Sequence, residues 1–223
     1  MTLCLGLSTD RILEAFTQEI TARGGEVTDT FHDGQRLFAR GVLNLTGEVR
    51  SRDRVDGGVA LKAAGGDVSV HPYVFRQVCQ NGAIMAETLT SERLTNLDWP
   101  EPEEALRRIK AAVADCSQRE VFEDSVDQMR SAAELEVDTA LLILSAFSEH
   151  SAHPKANYLA SIMDRFFRDE ELSGFGLMQA ITSVARDTRD EALRWDLEEL
   201  GGSVAARNCP QPSWDTSRSL VYA

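Results

Sequence analysis

The sequence predicts an α+β protein, with a short helix and an antiparallel β-meander in the N-terminal half and an α-helical C-terminal half. Three observations carry that reading. Apolar and polar residues alternate with a period of two through "EVTDTFHDGQRLFARGVL", and Asp33-Gly34 stands between the two runs as a hairpin signal. From Glu101 onward the apolar residues recur at helical spacing instead. The change falls within "NLDWPEPEE", which divides the chain into a β-rich segment 1–98, a helical segment 99–207 packed on it, and a tail 208–223.

Taken in order, Ser8 or Thr9 caps a first helix in which Ile12, Leu13, Phe16 and Ile20 share a face, and Gly24-Gly25 ends it. Two strands flank Asp33-Gly34, and further strands are expected at "GGVALKA" and "DVSVHPYVFRQV", separated by Gly65-Gly66. Asn81-Gly82 reads as a left-handed turn of a strand into a helix over "AIMAETLTSERL", because both residue types tolerate positive φ. Leu106, Ile109, Val113 and Cys116 form one helical stripe, and Phe122, Val126, Met129 and Ala133 form another. They fit one long helix with a slipped register or two helices. Later helices are expected over 137–148, 154–167, 176–186 and 189–200, with Gly201-Gly202 stopping the last. The tail, "CPQPSWDTSRSLVYA", has two prolines and no periodicity, as in a loose or docking extension.

Composition narrows the class of function. With 223 residues, 43% hydrophobic and 26% charged, the chain has the make-up of an ordinary globular protein. No apolar run approaches the roughly 20 residues that cross a bilayer, and "MTLCLGLSTDR" lacks the basic leader of a signal peptide. Four scattered cysteines, Cys4, Cys79, Cys116 and Cys209, imply no disulfide framework, so the expected location is the cytoplasm. The net charge of -13 argues against indiscriminate coating of nucleic acid. That charge is uneven: residues 1–95 carry 10 Lys and Arg against 12 Asp and Glu, whereas residues 96–223 carry 13 against 24. Lys62, Lys110 and Lys155 are the only lysines. The bias to arginine fits either a GC-rich genome or a need for planar, bidentate contacts.

Candidate chemistry is sparse. Cys79 lies near His71, but neither a CxxC nor an HxxxH spacing occurs, so no metal site is expected. Nothing near Cys79 supplies an oriented base, and Cys79, Asn81 and Gly82 read as a structural turn. Amides freed at that turn, with Arg76 beside them, fit an anion as well. His150 and His153 precede Pro154 in what reads as a solvated turn, and the acidic clusters "RDEEL" and "RWDLEEL" read as solvated helix faces. The GxxxxGK, GxSxG and HExxH motifs are all missing, and with them the usual starting points for an enzyme. No cofactor is expected.

One face does invite a ligand. Strand alternation puts Arg36, Phe38 and Arg40 on one side of "RLFARGVLN", with Leu37, Ala39 and Leu43 on the other. Arg50, Arg52 and Arg54 follow as a basic cluster interrupted by Asp53. Arginines interleaved with an aromatic ring are what a single-strand platform needs, charge for phosphates and a π face for bases. The same alternation fits a solvated sheet face with one exposed Phe, or a Phe38 buried in a sheet covered on both sides.

Through "GEVRSRDRVDGGVALK", "VHPYVFRQVCQNGAIM", "SGFGLMQAITSVARD" and "LEELGG", the chain resembles the domain-of-unknown-function 932 family, proteins of phages, plasmids and other mobile elements. The likeness covers most of residues 26–202 and rests on Asp53, Gly57 and Gly58, on Arg76, Cys79, Asn81 and Gly82, on Ala180 and Thr182, and on Glu199 and Gly202. Gln179 stands where that family often has Asn, and Ala83 and Ile84 replace its usual Met. The resemblance implies a mobile-element context without a defined activity. In its order of helix, meander and helices the chain is also similar to Rad-type and Red-beta single-strand annealing proteins, an architectural likeness only. The expectation is a non-enzymatic, self-associating protein that binds single-stranded nucleic acid, in annealing or recombination, through Arg36, Phe38, Arg40, Arg50, Arg52, Arg54 and Arg76. The rival is a protein-interaction or inhibitor module, which the acidity favours.

Overall fold

A computed structural model describes residues 7–86, 88, 90–94, 101–134, 156–169 and 171–206. Helix α1 (Thr9–Ala22) starts where the Ser8 side chain accepts a hydrogen bond from the Arg11 amide. A six-stranded antiparallel sheet follows: β1 (Glu26–His32), β2 (Leu37–Arg50), β3 (Asp53–Ala64), β4 (Asp67–Arg76), β5 (Asn81–Ile84) and β6 (Glu92–Leu94). Its order is β1-β2-β3-β4-β5, with β6 also pairing β4. Gly34 turns the β1–β2 hairpin at a φ of 81°, and Gly65 and Gly66 turn β3 into β4 at 63° and 102°. The helices that follow among the described residues are α2 (Pro102–Cys116), α3 (Arg119–Ala133), α4 (Ala156–Arg168), α5 (Gly174–Arg186) and α6 (Glu191–Ala206). The α+β class and the order of its halves are as the sequence predicts.

The sheet is covered on both faces. Leu37, Ala39, Val59, Leu61, Val68 and Val70 pack under α1 and α2. Farther along that face, Val55, Val74 and Ala83 meet Phe122, Val126 and Met129 of α3 and the apolar sides of α4, α5 and α6. The opposite face is closed by α6, whose Trp195 packs on Phe38, Ala60, Tyr73 and Ile84.

Two expectations are corrected. Asn81-Gly82 does not turn into a helix, because residues 81–84 add β5 to β4 and Gln80, at a φ of 51°, makes the left-handed turn. Gly82 is required by space instead, since a Cβ there would run into the Tyr73 hydroxyl. Of the two arrangements open for the stripes after Glu101, the structure has the separate helices, which break at Ser117 and Gln118. Gly201-Gly202 does not stop α6, which runs on to Ala206. The expected helix 137–148, His150, His153, Cys4, Cys209 and the tail lie outside the described residues.

Candidate functional site

The expected platform does not assemble on one face. Strand alternation does put Phe38 and Arg40 together, but α6 lies over them, leaving Phe38 0% and Arg40 1% exposed. Neither can touch a nucleic acid. Arg36 is at the β1–β2 hairpin, paired with Asp33 and set over the Phe31 ring. Arg50 ends the fourteen-residue β2, so the two groups of arginines are separated by about 45 Å of strand.

Arg40 is part of a buried ion network. Its Nε donates to Glu198 at 2.8 Å, and its Nη1 reaches Asp29 at 3.3 Å and Glu191 at 3.5 Å. Arg194 binds the same three carboxylates. Burial pushes the Glu198 carboxyl above its ordinary range, against the opposing pull of Arg40 and Arg194. This network ties α6 to the sheet.

What remains of the basic set gathers at one corner. Arg50, Arg52 and Arg54 flank the β2–β3 turn, where Arg52 has a φ of 68°. Arg50 pairs with Glu171 at 2.5 Å, whereas Arg54 reaches Glu48 only at 3.9 Å and leaves 66% of its side chain exposed. Arg130 of α3 joins them by donating to the Glu48 carbonyl at 2.6 Å. Arg76 pairs with Asp53 at 2.5 Å, donates to Cys79 Sγ at 3.0 Å, and shares the Phe175 ring with Arg50. Cys79 is therefore a half-buried turn residue that braces an arginine, not a core cysteine. Arg186 donates to the Cys79 carbonyl at 2.6 Å, and Asn81 Nδ2 donates to Thr182 Oγ1 at 2.9 Å. Asp53, Arg76, Cys79, Asn81 and Thr182 thus meet here from three stretches of sequence. Sequence reading missed Arg130, Arg186 and Phe175, which arrive on helices with no local sign of their destination.

Other chemistry is limited. Among the described residues no group of three His, Cys, Asp or Glu side chains is placed to hold a metal, and no helix is long and apolar enough to cross a membrane. Burial pushes the Cys116 thiol up to about 12, so it stays protonated. His71, on β4, lies against Trp195 with its Nε2 3.7 Å from Glu199. Burial, with the charges of Lys62 and Arg93, lowers its pKa to about 4.

That shift makes stability depend on pH. Between about pH 6.5 and 4 the unfolded histidine takes a proton that the folded one refuses. Stability is therefore complete above that window and falls as the pH drops through it, by at most about 3 kcal/mol from this group. Urea unfolding across the window should show the loss, and His71→Asn should flatten it.

No family model matches the chain, and no curated protein or solved structure matches it either.

Proposed function

We propose that the protein is a non-catalytic, single-stranded nucleic-acid-binding protein of a phage or other mobile element, and that its contact surface is the arginine corner. The observation that carries this reading is the exposed pair Arg52 and Arg54 at the β2–β3 turn, set beside Arg50 and Arg130 in a chain of net charge -13. The guanidinium groups would meet phosphates and release counterions, while the acidic remainder limits the footprint to that corner. With Phe38 buried, the contact carries no base stacking from that ring, so binding is expected to be weak, salt-sensitive and indifferent to sequence.

Fluorescence anisotropy of a labelled oligothymidylate against salt tests this. The log–log slope scales as about 0.7 per phosphate neutralised on a single strand. Replacing Arg52 and Arg54 together by Ser should flatten it by about 1.4, with the fold unchanged because both side chains are exposed. Absence of binding at low salt would remove the reading.

A second reading, the protein-interaction module, is favoured by Val78, which is 65% exposed at the neighbouring β4–β5 turn, and by exposed Phe167 and Leu172. Mass photometry with and without oligonucleotide separates the two and reports self-association.

A further inference from the structure

At the arginine corner Arg50 holds its guanidinium at a fixed place and still leaves it open to solvent. Three contacts fix it. Its Nη1 pairs with Glu171 at 2.5 Å, its Nη2 donates to the Ala133 carbonyl at 3.2 Å, and its Cζ stands 5.6 Å from the centre of the Phe175 ring. These partners come from the end of α3, the link into α5 and the first turn of α5. Phe175 is 0% exposed and carries the Arg76 guanidinium at 5.8 Å as well, so its ring is a buried floor under two arginines. Yet 42% of the Arg50 side chain is exposed. The pairing with Glu171 decides what that exposed part can do. A phosphate brought to Arg50 would meet the Glu171 carboxylate, so this arginine offers little to a nucleic-acid backbone. What stays available is the face of a planar, weakly hydrated cation. A nucleobase is a planar π system that stacks on such a face, and a side chain held in advance loses little entropy when the base arrives. Phosphate contacts lie close by: Arg50 pairs across the hairpin with Asp53, and the exposed Arg54 is the next residue along that strand.

We infer that the Arg50 guanidinium is a stacking shelf for one base of a single strand, with Phe175 beneath it and Arg52 and Arg54 beside it on phosphates. This role rests on the nucleic-acid reading proposed above and deepens it, since the corner then takes a base as well as the backbone. In a duplex the base faces are covered by their neighbours, so the shelf favours single strands. It reads no hydrogen-bonding edge and stays indifferent to sequence.

Fluorescence anisotropy with the full chain compares a labelled oligothymidylate with an abasic oligodeoxynucleotide of the same length and phosphate number. The parent should bind the thymidylate at least about fivefold more tightly, the scale of a single base stack, with the same salt slope for both strands. Arg50→Lys keeps the charge beside Glu171 but loses the flat face, and should bring the two affinities together. Its binding to the abasic strand should stay as in the parent, which also shows that it is folded. Replacing Arg52 and Arg54 by Ser should do the reverse, flattening the slope and leaving the preference for bases. The proposal is overturned if the parent binds both strands alike, or if Arg50→Lys keeps the full preference whether or not its overall binding drops. In the first case the phosphate contact still stands. If neither strand binds the parent at low salt, the nucleic-acid reading fails and the shelf with it.

Discussion

Replacing Arg40 with Met should lower the free energy of unfolding by about 3–5 kcal/mol, the scale for breaking a buried ion pair by removing one partner. The loss exceeds that of a missing hydrogen bond because of what is left behind. Asp29, Glu191 and Glu198 would share Arg194 alone, and Glu198 is 2% exposed. Water cannot reach it to compensate. The double substitution Arg40→Met with Glu198→Leu removes both buried charges and should cost clearly less than the single one, so a double-mutant cycle in urea yields a strongly favourable coupling. A single variant within about 1 kcal/mol of the parent would mean that the network adds little beyond what Arg194 already provides.

Gly202→Ala should be the second severe change. Alanine is the better helix former by about 1 kcal/mol, so an isolated helix would gain. Here a Cβ would fall inside the envelope of the Ile84 carbonyl oxygen, where α6 lies directly on β5. The obstacle is backbone in a paired strand and cannot swing aside. The expected loss is about 3 kcal/mol or failure to fold, at the upper end of overpacking costs. Gly65→Ala provides the contrast: nothing stands within reach of a Cβ there, and its cost comes only from a φ of 63°. If Gly202→Ala proved as mild as a surface change, the close approach of α6 and β5 would be wrong.

Gly202 also marks where the sequence stopped being legible. A Gly-Gly pair after an amphipathic run reads locally as a helix stop, yet α6 continues because the missing Cβ is what lets it touch the sheet. Propensity lost to tertiary contact. Asn81–Ile84 failed for a related reason: four residues are too few to show a period, and their pairing with β4 is a non-local fact. By contrast α1, the Asp33-Gly34 hairpin and the stripe through Leu106, Ile109 and Val113 were readable because cap, turn and period are all local signals. At the site, alternation grouped Phe38 with Arg40 correctly but could not say what covers that face, since Trp195 and Glu198 come from the far end of the chain. The cluster Arg50, Arg52 and Arg54 was visible because it lies within one hairpin.

The distance along the chain between Arg40 and Glu198 is 158 residues. During synthesis at about 5–20 residues per second, some 8–30 seconds pass between the appearance of the arginine and that of its partner. The meander β1–β4 closes through neighbouring hairpins and is ready early. Until residues 191–206 emerge, it carries Phe38 and a guanidinium on a face with no lid. A nascent chain stalled in that interval presents a preformed sheet with a sticky, charged side, the kind of surface that holding chaperones bind and that neighbouring chains stick to. Completion of α6 is thus the step that ends this vulnerability on the ribosome.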